Sequence, residues 1–152
     1  MPQSLSVVYL HAVFSTKDRW PFLRETLLRN EMHAYLGGIS KQLDCAPVIV
    51  GGVDDHVHVL ARFGRKITQA DWIKEIKRVS SGWIKTRAPE HCGNFSWQAG
   101  YGIFSVSPSR LEAVREYIAT QESHHRKTTF EDEYRGLLRK HGMDWDERYV
   151  WD

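Results

Sequence analysis

Thiol is scarce in this chain: Cys45 and Cys92 are its only cysteines. They are isolated, which excludes a CxxC redox or zinc motif and leaves neither with an assigned role. Long apolar runs are missing too, so no segment is expected to span a bilayer. The opening residues, MPQSLSVVYL, lack the charged start and apolar stretch of a signal peptide. A reduced, cytoplasmic protein is the expectation. A strong charge of either sign is absent as well. The 21 Lys and Arg are nearly balanced by 19 Asp and Glu, for a net +2. That balance permits nucleic-acid binding without demanding it. Repeats, low-complexity tracts and linkers are absent. With 41% hydrophobic and 26% charged residues, the 152 residues are expected to form one domain, 1–152, with room for a real core.

What is present is a clear alternation of periods. SLSVVYLHAVFS at 4–15 is rich in β-branched and aromatic residues and reads as a strand. Leu28, Met32, Tyr35, Ile39 and Leu43 then recur at helical steps between Leu23 and about Leu43. Gly37 and Gly38 interrupt that pattern, as a weak point or a close backbone approach. Pro47 opens a strand through Val53, Asp54 and Asp55 make a turn, and a second strand runs to about Phe63, giving a hairpin. Thr68 and Asp71 resemble a capping box. After them Trp72, Ile76, Val79 and Trp83 form an apolar helical stripe, and Lys74, Arg78, Ser81 and Lys85 a basic one. Residues 89–93 read as a loop, and FSWQAGYGIFSVS at 95–107 as a strand broken by Gly100 and Gly102. A helix follows from Pro108 and Ser109 to about Gln121, and a short one from Phe130 to Lys140. The order β-α-β-β-α-β predicts an α+β, ferredoxin-like fold with an antiparallel sheet and an added C-terminal helix. Two helices would pack on one sheet face, leaving the other free.

The stretch GGVDDHVHVL at 51–60 carries the chemistry. Alternate strand residues share a face, so His56 and His58 point one way while Val57 and Val59 point to the core. Adjacent imidazoles can bind a metal through neutral nitrogens, given a third ligand. They can equally be two surface histidines on an exposed strand. In the helix at 109–121, Leu111, Val114 and Ile118 form the apolar stripe, and Tyr117 and Gln121 lie one turn apart on its flank. Tyr117 is either a boundary aromatic or a partner of the histidines. His11 is a structural histidine or flanks the site. His124 and His125 bind DNA or cap the helix end. Asp54 and Asp55 suit a hairpin turn or a base. Lys74, Arg78, Lys85 and Arg62 are candidate phosphate contacts, with a solvated face as the plain alternative.

Taken together, these motifs resemble the single-tyrosine HUH transposases of bacterial insertion sequences, including relatives associated with repeated extragenic palindromes. His56-Val57-His58, preceded by GGVDD, is similar to that family's histidine–hydrophobic–histidine strand. Tyr117 to Gln121 is similar to its Y-x-x-x-Q helix, and WQAGYGIFSVS at 97–107 resembles the stretch before it. The likeness runs from about Ser4 to about His125, leaving a tail, 126–152. The resemblance implies that His56, His58 and Gln121 hold one Mg²⁺ or Mn²⁺. Imidazole suits Mn²⁺ better than Mg²⁺. It implies that Tyr117 attacks a phosphodiester of single-stranded DNA, at hairpins near element ends, to form a 5′-phosphotyrosine. It also implies a homodimer in which the histidine pair of one subunit meets the tyrosine helix of the other. Two rival readings use the same residues differently. One is a domesticated relative that processes palindromic repeats. The other is a ferredoxin-like module that binds single strands without cutting them.

Overall fold

The computed structural model describes residues 2–152. Its elements are β1 (Tyr9–Ser15), α1 (Thr26–Gln42), β2 (Ala46–Gly52), β3 (His56–Arg62), α2 (Gln69–Arg87), α3 (Pro89–Cys92), β4 (Gly102–Val106), α4 (Leu111–Ala119), α5 (Gln121–His125) and α6 (Phe130–Lys140). The four strands form one antiparallel sheet in the order β2-β3-β1-β4. This is the expected ferredoxin-like arrangement, with β3 and β1 in the centre. No helix among the described residues is long and apolar enough to cross a membrane.

Period-two alternation sorts the two central strands. Leu10, Ala12 and Phe14 of β1 and Val57, Val59 and Ala61 of β3 face α1 and α2 in one apolar core. Fully burying a large apolar side chain contributes about 1.5–3 kcal/mol. Trp72 and Trp97 add large area there. Their indole N–H groups donate to Ser40 Oγ at 3.0 Å and to Ser80 Oγ at 2.9 Å, so neither is buried unpaired. The expected cap is present: Thr68 Oγ1 accepts from the Asp71 amide at 3.1 Å. Gly37 and Gly38 do not interrupt α1, whose i, i+4 pattern runs through them.

The element limits differ from the sequence reading in four places. The first strand begins at Tyr9, because residues 4–8 have no ladder partner in the sheet. The segment 95–101 leaves the sheet apart from a single Thr16–Trp97 bridge, so β4 is short. Residues 89–92 form a turn of helix, with Pro89 at its first position. The helix expected to run through Gln121 breaks at Thr120. Its hydroxyl donates back to the Glu116 carbonyl at 3.0 Å, a bond that bends helices, and Gln121 opens α5.

The larger correction concerns the second sheet face. It is not free: α4, α5 and α6 cover it. Leu60, Val106 and Ile118 form a small apolar cluster on one side. Val13, Phe104, Phe130, Tyr134 and Leu138 form another. Two glycines make room for this layer. A Cβ on Gly51 would meet the Ile118 carbonyl oxygen at 2.7 Å, and one on Gly102 would meet the Tyr134 hydroxyl oxygen at 2.7 Å and its ring at 2.8 Å. Gly51 therefore lets α4 lie against β2, and Gly102 lets α6 lie against β4.

Candidate active site

Between the two small clusters lies a buried polar group. His56 and His58 share the covered face as the strand alternation requires, and both are fully buried. The alternative of two surface histidines is therefore overturned. Each ring is held at Nδ1. His56 Nδ1 lies 2.7 Å from Asp55 Oδ1, and His58 Nδ1 lies 2.8 Å from His11 Nε2. Asp55 thus orients His56, while its backbone carbonyl accepts from the Thr16 amide and that of Asp54 from the Leu23 amide. Both Nε2 atoms are left pointing at a common region, as outer-sphere partners arrange ligating histidines.

Helices α4 and α5 bring Tyr117 and Gln121 to that region. Tyr117 is half-buried, with its ring centroid 5.8 Å from that of His58. Gln121 is buried, with Oε1 3.2 Å from His56 Nε2. The four residues named from sequence, His56, His58, Tyr117 and Gln121, therefore meet, and they meet within one chain. The basic candidates do not join them. Lys74, Arg78 and Lys85 are exposed on α2, across the sheet from the histidines, and Arg78 pairs with Glu75 at 2.7 Å. Arg62 ends β3 and donates to the Ser6 carbonyl at 2.9 Å.

The residue at the centre is one the sequence reading passed over. Glu133 of α6 places Oε1 3.1 Å from His56 Nε2, 3.0 Å from His58 Nε2 and 3.1 Å from His125 Nε2. Its Oε2 accepts from the Tyr117 hydroxyl and, at 3.0 Å, from Gln121 Nε2. A signal for it exists in the sequence. Phe130, Glu133, Tyr134, Leu137 and Leu138 stand at i, i+3, i+4, i+7 and i+8, so a carboxylate interrupts an otherwise apolar stripe. His125 was noted only as a DNA contact or a cap. Its Nδ1 donates to the Thr128 carbonyl at 2.7 Å, which turns Nε2 inward.

The electrostatics follow from this crowding. Burial alone would raise the Glu133 pKa, but the imidazoles of His125, His56 and His58 crowded around it hold it far below the usual carboxylate range. Burial pulls His56 down, yet the Asp55 and Glu133 carboxylates together outweigh it and the imidazole is raised to about 9. Burial lowers His58 and holds His11 well below the ordinary value. Burial, followed by the charge of Glu133, pushes the Tyr117 phenol well above its usual range. A buried anion thus faces several imidazoles, a setting in which a cation is favoured.

Among the described residues, His56, His58, His125 and Glu133 offer four ligand atoms that all lie within 4.8 Å of one another. Three imidazoles and a carboxylate form a set that fits a divalent transition metal. Beside them lies a groove of about 780 Å³ whose lining includes Tyr117, Glu133, Arg110, His124 and Lys140.

A buried histidine pair on the covered face of a ferredoxin-like sheet, with a phenol beside it, defines a candidate metal site. The chain belongs to the IS200-like transposase family, whose sequence model matches residues 4–121. No curated protein matches it significantly. Among solved structures it is similar to a candidate transposase from Deinococcus radiodurans R1. The identity is 22%, the TM-score 0.64, and 80% of this chain covers 95% of that one. It is also similar to a REP-associated tyrosine transposase bound to a REP hairpin, with 12% identity, a TM-score of 0.59, and 82% of this chain covering 72% of that one.

Proposed function

We propose that the protein cuts and rejoins single-stranded DNA through a covalent bond to Tyr117. The observation that carries this reading is the convergence of the Tyr117 hydroxyl and the His56 and His58 Nε2 atoms on one buried carboxylate. The Tyr117 oxygen bonds to phosphorus, the bond to the 3′-oxygen breaks, and the phenolic proton ends on the departing 3′-hydroxyl. A 5′-phosphotyrosine remains, and a second 3′-hydroxyl can reverse the exchange. His56 and His58 would hold a Mg²⁺ or Mn²⁺, with Gln121 the third ligand that family resemblance implies. When bound, the cation supplies positive charge against the scissile phosphate.

The groove at Tyr117 suits the strand, with Arg110 and Lys140 on its lining for phosphates. Lys74, Arg78 and Lys85 would meet only a strand that wraps to the far side of the sheet. The REP-associated relative was solved with a REP hairpin, which supports a hairpin-forming strand as the substrate. Binding without cutting is less well supported. Single-strand modules stack bases on an open sheet face, and here α4 to α6 cover that face.

The test is incubation with hairpin-forming single-stranded oligonucleotides and Mn²⁺. A covalent adduct on Tyr117 is expected, absent in Tyr117→Phe and in His56→Ala. Persistence of the adduct in Tyr117→Phe would overturn the assignment. The candidate residues lie within one chain, which favours cleavage by a single copy over the homodimer with shared sites. Mixing Tyr117→Phe with His56→Ala chains separates the two, because only shared sites restore the adduct.

A further inference from the structure

We propose that the end of α5 and the start of α6 complete the metal site: His125 and Glu133 ligate the same divalent cation as His56 and His58, while the second oxygen of Glu133 positions the Tyr117 hydroxyl. This rests on the metal-dependent reading given above.

Three observations carry it. The first is spacing. Donors about 2.1 Å from a shared ion, set about a right angle apart, lie about 3 Å from one another. Glu133 Oε1 lies 3.1, 3.0 and 3.1 Å from the Nε2 atoms of His56, His58 and His125. The second is outer support. His125 is held at Nδ1 like the strand histidines, by the Thr128 carbonyl where they have Asp55 and His11. All three rings therefore offer Nε2 to one place. The third is an orphan. His125 Nε2 is buried with no hydrogen-bonding partner, although a carboxylate oxygen is near; the angle fails while the distance does not. A ring nitrogen that is sequestered and aimed but unbonded has the geometry of a ligand.

The arrangement divides the two oxygens of Glu133. Oε1 serves the ion, and Oε2 receives the Tyr117 hydroxyl and the Gln121 amide. One carboxylate thereby fixes the nucleophile relative to the cation. Gln121 is a neutral donor that also steadies Glu133, so it ranks below the charged ligand. Three imidazoles favour Mn²⁺ over Mg²⁺, which demands oxygen. Residues 121–133 of the sequence then decide the metal as much as the strand motif does.

Calorimetric titration of the full-length, metal-free protein with Mn²⁺, without DNA, tests the ligand set. Glu133→Gln and His125→Ala should each weaken Mn²⁺ binding tenfold or more, and Gln121→Ala by less. Circular dichroism checks that the variants fold. Pulsed electron paramagnetic resonance of the Mn²⁺-loaded wild type counts coordinated imidazole nitrogens independently of any variant, and three are expected. Two coupled nitrogens, or Mn²⁺ binding that is unchanged or tighter in Glu133→Gln, would overturn the proposal; tighter binding would make Glu133 a plug that the ion must displace. Three nitrogens without any Tyr117 adduct would sink strand transfer and leave the ligand set standing. An adduct with only two nitrogens would do the reverse.

Discussion

The two faces of the sheet are built from the same strands and do opposite work. Facing α1 and α2, β1 and β3 offer Leu10, Ala12, Phe14, Val57, Val59 and Ala61, an apolar surface closed by Trp72 and Ile76. Facing α4 to α6, the same strands offer His11, His56 and His58, which are as deeply buried. Burial on the first face drives folding. On the second it costs free energy unless every imidazole and Glu133 finds a partner. The difference teaches that depth alone does not mark a core. One buried face is an apolar core that stabilises the fold, and the other is a cluster of titratable groups packed around Glu133.

That contrast can be broken by substitution on either side. The largest effect expected is on activity: His58→Ala should reduce adduct formation by about a hundred- to a thousandfold, the usual range for removing one stabilising group at a reacting centre, as read on a denaturing gel. Trp72→Ala on the other face should cost about 3–5 kcal/mol in urea unfolding. It should leave adduct yield per folded molecule unchanged. A loss of activity there would show that the two faces are coupled. Gly51→Ala sharpens the comparison, because its Cβ would press the Ile118 carbonyl and shift α4. About 1–3 kcal/mol of stability should be lost, as for other overpacked sites, together with adduct yield, since α4 carries Tyr117. Thr68→Ala should cost about 1 kcal/mol by removing the α2 cap and should leave the adduct intact.

The sequence conveyed the first face almost completely. Strand alternation at 56–60 and the Trp72–Ile76–Val79–Trp83 stripe are local patterns, and the β-α-β-β-α-β order follows from their succession. The same alternation put His56 and His58 on one face, and the tyrosine–glutamine spacing brought their partners near. What could not be read was the covering layer. Nothing local says that Gly51 and Gly102 are gaps for Ile118 and Tyr134, because those contacts join distant parts of the chain. The Thr120 bend is a side-chain bond that competes with helix continuation, which periodicity does not register. Glu133 was legible only as an anomaly in the apolar stripe of α6. With two further acids beside it, Glu131 and Asp132, it passes for the usual charge at a helix start. The basic stripe of α2 shows the opposite failure. It is a clean pattern, but it lies across the sheet from the site.

The central claim is that the histidine face is one site shared by a cation and the Tyr117 hydroxyl. Crystals of the full-length protein grown with Mn²⁺, measured for anomalous scattering, test it most directly. The account predicts a single strong peak bonded to the Nε2 atoms of both His56 and His58, beside the Tyr117 oxygen. A peak elsewhere, or none at that meeting point under saturating Mn²⁺, would contradict it.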